Sequence, residues 1–136
     1  MAGMRSAPLP FLKEGKTIMR VIRNNDEDRI QGEIIDLLKV AAIPNLLYYH
    51  VPNGGKRDIK TGVAMKALGV KAGVTDLVLV CPRGVSHFME VKDDDGTLSK
   101  DQRDFRDFCL IIGHPWALVR SRDEAQDVLV GWGLLA

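Results

Sequence analysis

Cysteine is scarce in this chain of 136 residues, which carries only Cys81 and Cys109. They form no CxxC and no Cys/His spacing, which argues against a structural zinc site and suits unpaired thiols in a reducing cytoplasm. Both are expected as small buried hydrophobes. No apolar run approaches the roughly 20 residues that span a bilayer. The N-terminus lacks the apolar core of a signal peptide. No membrane partner is therefore expected. Net charge is nearly absent at +1, so only the distribution of charge can speak about partners. Gly54-Gly55 and the stretch from Gly69 to Gly73 lack the lysine and hydroxyl spacing of a phosphate loop. There is no internal repeat and no low-complexity segment. The length is that of one domain with a core of its own.

What is present is a regular alternation of helix and strand signals. Residues 1–23 read as an N-terminal arm, in which 17–23 could form a short edge strand, and 24–136 as the folded domain. Asn24, Asn25 and Asp26 are good helix caps. From there Ile30, Ile34, Leu37, Leu38 and Ala41 recur at helical spacing until Pro44 ends the run. At about 100° per residue, Glu27 falls in line with the stripe of Ile30, Ile34, Leu38 and Ala41, Glu33 lies at its margin, and Asp28 and Asp36 point elsewhere. An acid in that place is either a favourable N-terminal charge or an inward-reaching ligand. Leu46 to Val51 reads as a strand closed by the turn signal Pro52-Asn53-Gly54-Gly55, followed by a helix over about 58–68. Between Lys56 and Lys71, five basic residues (Lys56, Arg57, Lys60, Lys66, Lys71) face one acid, Asp58. In an otherwise balanced chain this cluster is the best candidate for contacts to a phosphate backbone.

Ser99 with Gln102 forms a capping box that opens a helix through Phe105, Phe108, Cys109 and Ile112, ended by Gly113. Trp116 to Arg120 reads as a strand. Ser121 with Glu124 is a second capping box before a last helix along Ala125, Val128 and Leu129. The order helix, strand, helix, strand, strand, helix, strand, helix predicts an α/β fold, a mixed β-sheet flanked by helices on both faces. His87 and His114 have no partner spacing and read as structural, and residues 93–96 as a solvated acidic turn.

The most informative stretch lies between those helices. The apolar runs Asp76-Leu77-Val78-Leu79-Val80 and Val85-Ser86-His87-Phe88-Met89-Glu90-Val91-Lys92 flank the break Cys81-Pro82-Arg83-Gly84, which predicts a β-hairpin. Centred on Arg83, its register sets Asp76 across from Glu90, roughly 5 Å apart, where like charges destabilise the pair. Strand alternation puts Lys92 on the same face. The group is either an exposed polar face or a site for a hard divalent cation, which a few carboxylates plus water and phosphate oxygens would hold.

These residues resemble the core of the PD-(D/E)XK nucleases, Asp76 followed by Glu90-Val91-Lys92 on the next strand. More narrowly, the chain resembles a stand-alone VRR-NUC domain. Glu27 with Gln31, the stretch from His50 to Arg57, that from Lys66 to Val74, and Leu98-Ser99-Lys100-Asp101-Gln102 carry the likeness, over about residues 27–129. Thr75 stands where the family has proline, a substitution expected to be tolerated. The resemblance implies a restriction-endonuclease-like core and Mg2+-dependent hydrolysis of DNA phosphodiesters, with Mn2+ as the other candidate ion. It implies Asp76, Glu90 and the Val91 carbonyl as metal ligands and Lys92 as the group that orients or deprotonates water. Glu27 (or Glu33) becomes the helix acid, and Gln102 a polar helper. Asn53, Lys56, Arg57, Lys60, Lys66 and Lys71 are the expected DNA contacts. Branched DNA such as Holliday junctions, a role in DNA repair, and the cytoplasm of a bacterial or phage-infected cell follow as expectations. The alternative is a nucleic-acid-binding module with a vestigial metal site. A homodimer or higher even-numbered assembly is also expected, built on apolar residues at the two ends: Leu9, Phe11 and Leu12, and Val130, Trp132, Leu134 and Leu135.

Overall fold

The computed structural model describes residues 25–52 and 59–136. The expected arm at 1–23, with Leu9, Phe11 and Leu12, lies outside the described residues, as do Asn53, Lys56, Arg57 and the side chain of Lys60. The elements are α1 (Asn25–Ala41), β1 (Leu47–His50), α2 (Ile59–Ala67), β2 (Leu77–Val80), β3 (Ser86–Val91), α3 (Lys100–Ile111), β4 (Trp116–Val119) and α4 (Arg122–Gly131). Their order is the one read from the sequence.

Helices α3 and α4 start where their sequence supplies a partner for free backbone N–H groups, and α1 where it supplies acids. In α1 the first turn carries Asp26, Glu27 and Asp28 and the last carries Lys39, both complementing the helix dipole. The Ser99 hydroxyl accepts from Gln102 N–H and the Gln102 side chain accepts from Ser99 N–H, so the capping box on α3 is complete. The second box is only half formed. Ser121 caps Glu124 N–H, but the Glu124 carboxylate accepts from Arg120 N–H at 2.8 Å, one residue further out. Either arrangement satisfies one more orphan donor at the helix start.

The sheet has the order β1-β2-β3-β4, antiparallel between β1 and β2 and between β2 and β3, and parallel between β3 and β4. Alternation gives it two faces. Leu77, Leu79, Met89, Val91 and Val119 lie on one, packed with Ile30, Ile34 and Leu38 of α1 and Ala125 and Leu129 of α4 into a dry core. On the other face α3 buries Phe105 and Cys109, and Phe105 meets Phe88 edge-on with ring centroids 5.2 Å apart. Asp76, Glu90 and Lys92 belong to this second face, at the end of the hairpin away from its turn.

The C-terminal residues do not form spare surface as expected. Gly133 takes φ +76° and turns the chain back, so that Leu134 enters the core and Ala136 N–H reaches Ala41 carbonyl at 2.7 Å. Trp132 and Leu135 pack against the same core, and Trp132 lies over His87 with ring centroids 4.9 Å apart. Of that group only Val130 stays well exposed. Burial of apolar area outweighs exposure wherever the chain can fold back. No helix among the described residues is long and apolar enough to cross a membrane.

Candidate active site

The pairing Leu77 with Met89 continues by one residue to set Asp76 opposite Glu90, the register read from the sequence. Asp76 is held from three directions. Its carboxylate accepts from Val91 N–H at 2.8 Å, and its carbonyl accepts from Val51 N–H at 2.8 Å. The same carbonyl lies 2.8 Å from His50 Nδ1. A carbonyl only accepts, so Nδ1 carries the proton and Nε2 is left as the acceptor. Just before Asp76, the buried Thr75 hydroxyl donates to Leu77 carbonyl at 3.1 Å. The hydroxyl thus ties down the strand entry by a local hydrogen bond.

Glu90 is 3% exposed. Burial, then the charge of Asp76 and a hydrogen bond between the two carboxyls, push its carboxyl up to about 9. Gln102 donates to Glu90 Oε2 from Nε2 at 3.1 Å. Lys92 Nζ stands 4.0 Å from the same oxygen, beyond hydrogen-bond reach, and its attraction does not offset burial and Asp76. The backbone of Lys92 prolongs the parallel pairing by donating to Val119 carbonyl at 3.0 Å, which fixes where its stem begins.

Glu27 reaches this group from α1. Burial raises its carboxyl, while nearby Lys92 and a hydrogen bond from Asp93 N–H act in the opposite sense, and Asp93 and Asp76 add repulsion. Glu33 instead pairs with Arg29 at 3.1 Å on the exposed side of α1. It lines a cavity of about 590 Å³ with Asp36, Leu37 and Ser121 that includes none of the hairpin residues. The helix acid near the hairpin is therefore Glu27.

The loop at 93–96 is more than a solvated turn. Asp94 and Asp95 are exposed, but Arg120 Nη1 donates to Asp93 carbonyl at 2.6 Å and Gly96 carbonyl at 2.8 Å. A Cβ on Gly96 would sit 3.1 Å from Lys92 Cδ and 3.2 Å from Glu27 Oε2. Arg120 and Gly96 thus support the site although no sequence motif marked them, and so does His50, at the head of a stretch that carries the likeness but with no role assigned to it there. Their signals are backbone contacts set by the fold, apart from His50, which the register places next to Asp76.

The donor set fits a hard divalent cation. Two hydrogen-bonded carboxyls, one holding a proton far above its ordinary range, have the charge deficit that such an ion would relieve. No cluster of three or more His, Cys, Asp or Glu residues shaped to hold a metal occurs among the described residues. Asp76, Glu90 and the Val91 carbonyl would leave the remaining positions to water and phosphate, as Mg2+ favours. One turn beyond Glu27, Gln31 has both amide atoms buried without a hydrogen-bond partner among the described residues, a cost of about 1–3 kcal/mol that a site built around a further ligand would recover.

The remaining predicted residues are divided. Lys66 and Lys71 are exposed beside Gln102, lining a common cleft. Cys109 is buried as expected, while the partly exposed Cys81 thiol lies 3.3 Å from His87 Nδ1. Burial raises both thiols and lowers His87, and His114 Nδ1 sits 3.2 Å from Ser86 carbonyl. These groups lie away from the carboxylates, at the turn end of the hairpin.

No family model matches this chain, and no curated protein matches it in sequence. Solved structures do match. One described as a VRR_NUC domain protein aligns with a TM-score of 0.64 at 18% identity, covering 79% of this chain and 87% of its own. Another, described as a VRR_NUC domain, aligns with a TM-score of 0.53 at 21% identity over 78% and 95%. With its mixed four-stranded sheet between helices, this protein has the restriction-endonuclease-like fold of a VRR_NUC domain.

Proposed function

We propose that this protein is a Mg2+-dependent endonuclease that hydrolyses DNA phosphodiesters, with branched DNA such as Holliday junctions as its substrate. The observation that carries the reading is the opposition of half-buried Asp76 and buried Glu90, with Glu90 pushed up to about 9. Taking two facing carboxyls out of water is costly for a hairpin with a structural role alone. In this reading Asp76, Glu90 and the Val91 carbonyl hold the ion, which when bound stabilises charge on the phosphate and acidifies water. Lys92 orients the attacking water and takes up developing negative charge. Gln102 fixes the rotamer of Glu90. Glu27, close to Lys92 and Asp76, accepts a proton from the water or holds it in line. Lys66 and Lys71 attract the phosphate backbone.

Two further parts belong to the same proposal. Symmetric cutting of a two-fold junction is most simply done by a two-fold dimer. With the C-terminal residues folded into the core, its interface falls to the apolar residues exposed on α3, Phe108 and Ile111 among them. The cellular setting is the cytoplasm of a bacterium or phage-infected cell, in DNA repair. Cleavage of a panel of junction, flap and linear DNAs in Mg2+ and in EDTA tests the activity. Cutting in Mg2+ alone, strongest on branched DNA, is the expected result. DNA binding without cutting in Mg2+ or Mn2+ would replace it with a binding module that keeps a vestigial site.

A further inference from the structure

Next to the carboxylates lies a cleft of about 270 Å³ between α2, the loop that follows it, and the start of α3. Met65 and Val70 give it an apolar wall, Lys66 and Lys71 a basic rim, and Asp101 and Gln102 a polar end. Gln102 also holds Glu90, so the polar end is one side chain from the proposed metal ligands. Gly73 takes φ +83°, and a Cβ there would collide with the Asp101 carbonyl. Only glycine allows the loop to press on the start of α3, and that contact shapes the floor of the cleft. Among the described residues no other helix or strand packs against α2.

We propose that this cleft receives one unpaired nucleotide of the DNA strand beside the scissile phosphate. The proposal rests on the nucleic-acid reading above and adds a source of substrate choice. Pockets for drug-sized ligands begin at about 300 Å³, so a cleft of about 270 Å³ suits a single nucleotide and excludes a base pair. Lys66 and Lys71 match its phosphate. Met65 and Val70 present an apolar surface to the base. The Asp101 carboxylate, unfavourable to phosphate, accepts from the amino or imino groups of a base edge that pairing would otherwise occupy. Extruding a base from an intact duplex costs a few kcal/mol, whereas junctions, flaps and bulges offer it already unstacked. A cleft of this kind thus favours branched DNA without reading sequence.

Binding in EDTA tests the proposal apart from cleavage. Fluorescence anisotropy compares a continuous duplex with the same duplex carrying a single-nucleotide bulge of 2-aminopurine. The wild type is expected to bind the bulged DNA about tenfold tighter, the scale of one stacked base, with a change in 2-aminopurine emission. Gly62, which lines the cleft, has open space around an added Cβ. Gly62→Leu and Met65→Trp, which fill the cleft from two positions, are expected to reduce bulge affinity to that of the continuous duplex while duplex affinity is kept. Equal wild-type affinity for both DNAs, a preference that survives both substitutions, or an equal loss on both DNAs would overturn the proposal. Bulge preference without Mg2+-dependent cutting would instead remove the nuclease reading and leave the cleft standing.

Discussion

Gln102 joins the start of α3 to Glu90: its Oε1 accepts from Ser99 N–H at 2.9 Å and its Nε2 donates to Glu90 Oε2 at 3.1 Å. The capping box fixes which way the amide points, because only the oxygen can accept from Ser99. One side chain therefore sets both the helix start and the rotamer of a buried acid. Gln102→Glu keeps the cap acceptor but replaces the donor to Glu90 with a third carboxylate. Stability near pH 7 is expected to fall by about 1 kcal/mol or less, while cleavage falls at least tenfold. Equal cleavage by the two proteins in single-turnover assays would show that the bridge matters to the cap alone.

The proton on Glu90 makes stability depend on pH. The unfolded carboxyl titrates near 4.5 and the folded one near 9, so between those values the folded state binds the extra proton. Stability is then highest below pH 4.5 as far as this group is concerned, and it declines as pH rises towards 9. Without metal, Glu90→Gln is expected to remove that decline and to raise Tm by about 3–6 °C around pH 8. Melting curves across pH in EDTA check it. A parallel decline in both proteins would mean that Glu90 is not the group responsible.

Lys92 and Lys66 differ in setting and should differ in effect. The Lys92 side chain is 14% exposed beside Glu90, whereas Lys66 is exposed on the cleft. Lys92→Ala is expected to lower the cleavage rate at least a hundredfold with little change in DNA affinity. Lys66→Ala should weaken affinity and reduce the salt slope by about one charge. Titrations at several salt concentrations, set beside single-turnover rates, separate the two. An equal loss of affinity from both would count against a distinct catalytic lysine.

Much of this site was legible because strand periodicity is strict. Once the break at residues 81–84 centred the hairpin on Arg83, the pairing of Asp76 with Glu90 and the shared face of Lys92 followed. Helix phase likewise singled out Glu27 over Asp28 and Asp36, though choosing it over Glu33 required the tertiary structure. Long-range bonds to backbone carbonyls left no such trace. Nothing in the spacing of Arg120 announces that it grips the carbonyls of Asp93 and Gly96, or that His50 contacts the Asp76 carbonyl. The burial of the C-terminus leaves no such trace for a related reason. Composition marks Trp132 and Leu134 as apolar, but whether they meet their own core depends on the reversal at Gly133.

Gly96 offers a probe of the loop that Arg120 holds. Its missing side chain leaves room for Lys92, Asp93 and Glu27, each about 3.1–3.2 Å from where a Cβ would stand. Gly96→Ala is expected to displace the Lys92 stem or the Glu27 carboxylate and cut activity about tenfold, with a stability change of about 1 kcal/mol or less. Cleavage rates and melting curves measured together report the two effects. Unchanged activity would mean that the loop does not hold either group in its working position.

The central claim is that Asp76 and Glu90 together form a metal-dependent nuclease centre. The most direct test is single-turnover cleavage of a labelled junction at matched Mg2+ by the wild type, Asp76→Ala and Glu90→Ala. The account predicts cutting by the wild type and its abolition in both variants, with melting curves showing that each variant keeps the fold. Cleavage at the wild-type rate by Glu90→Ala would contradict it.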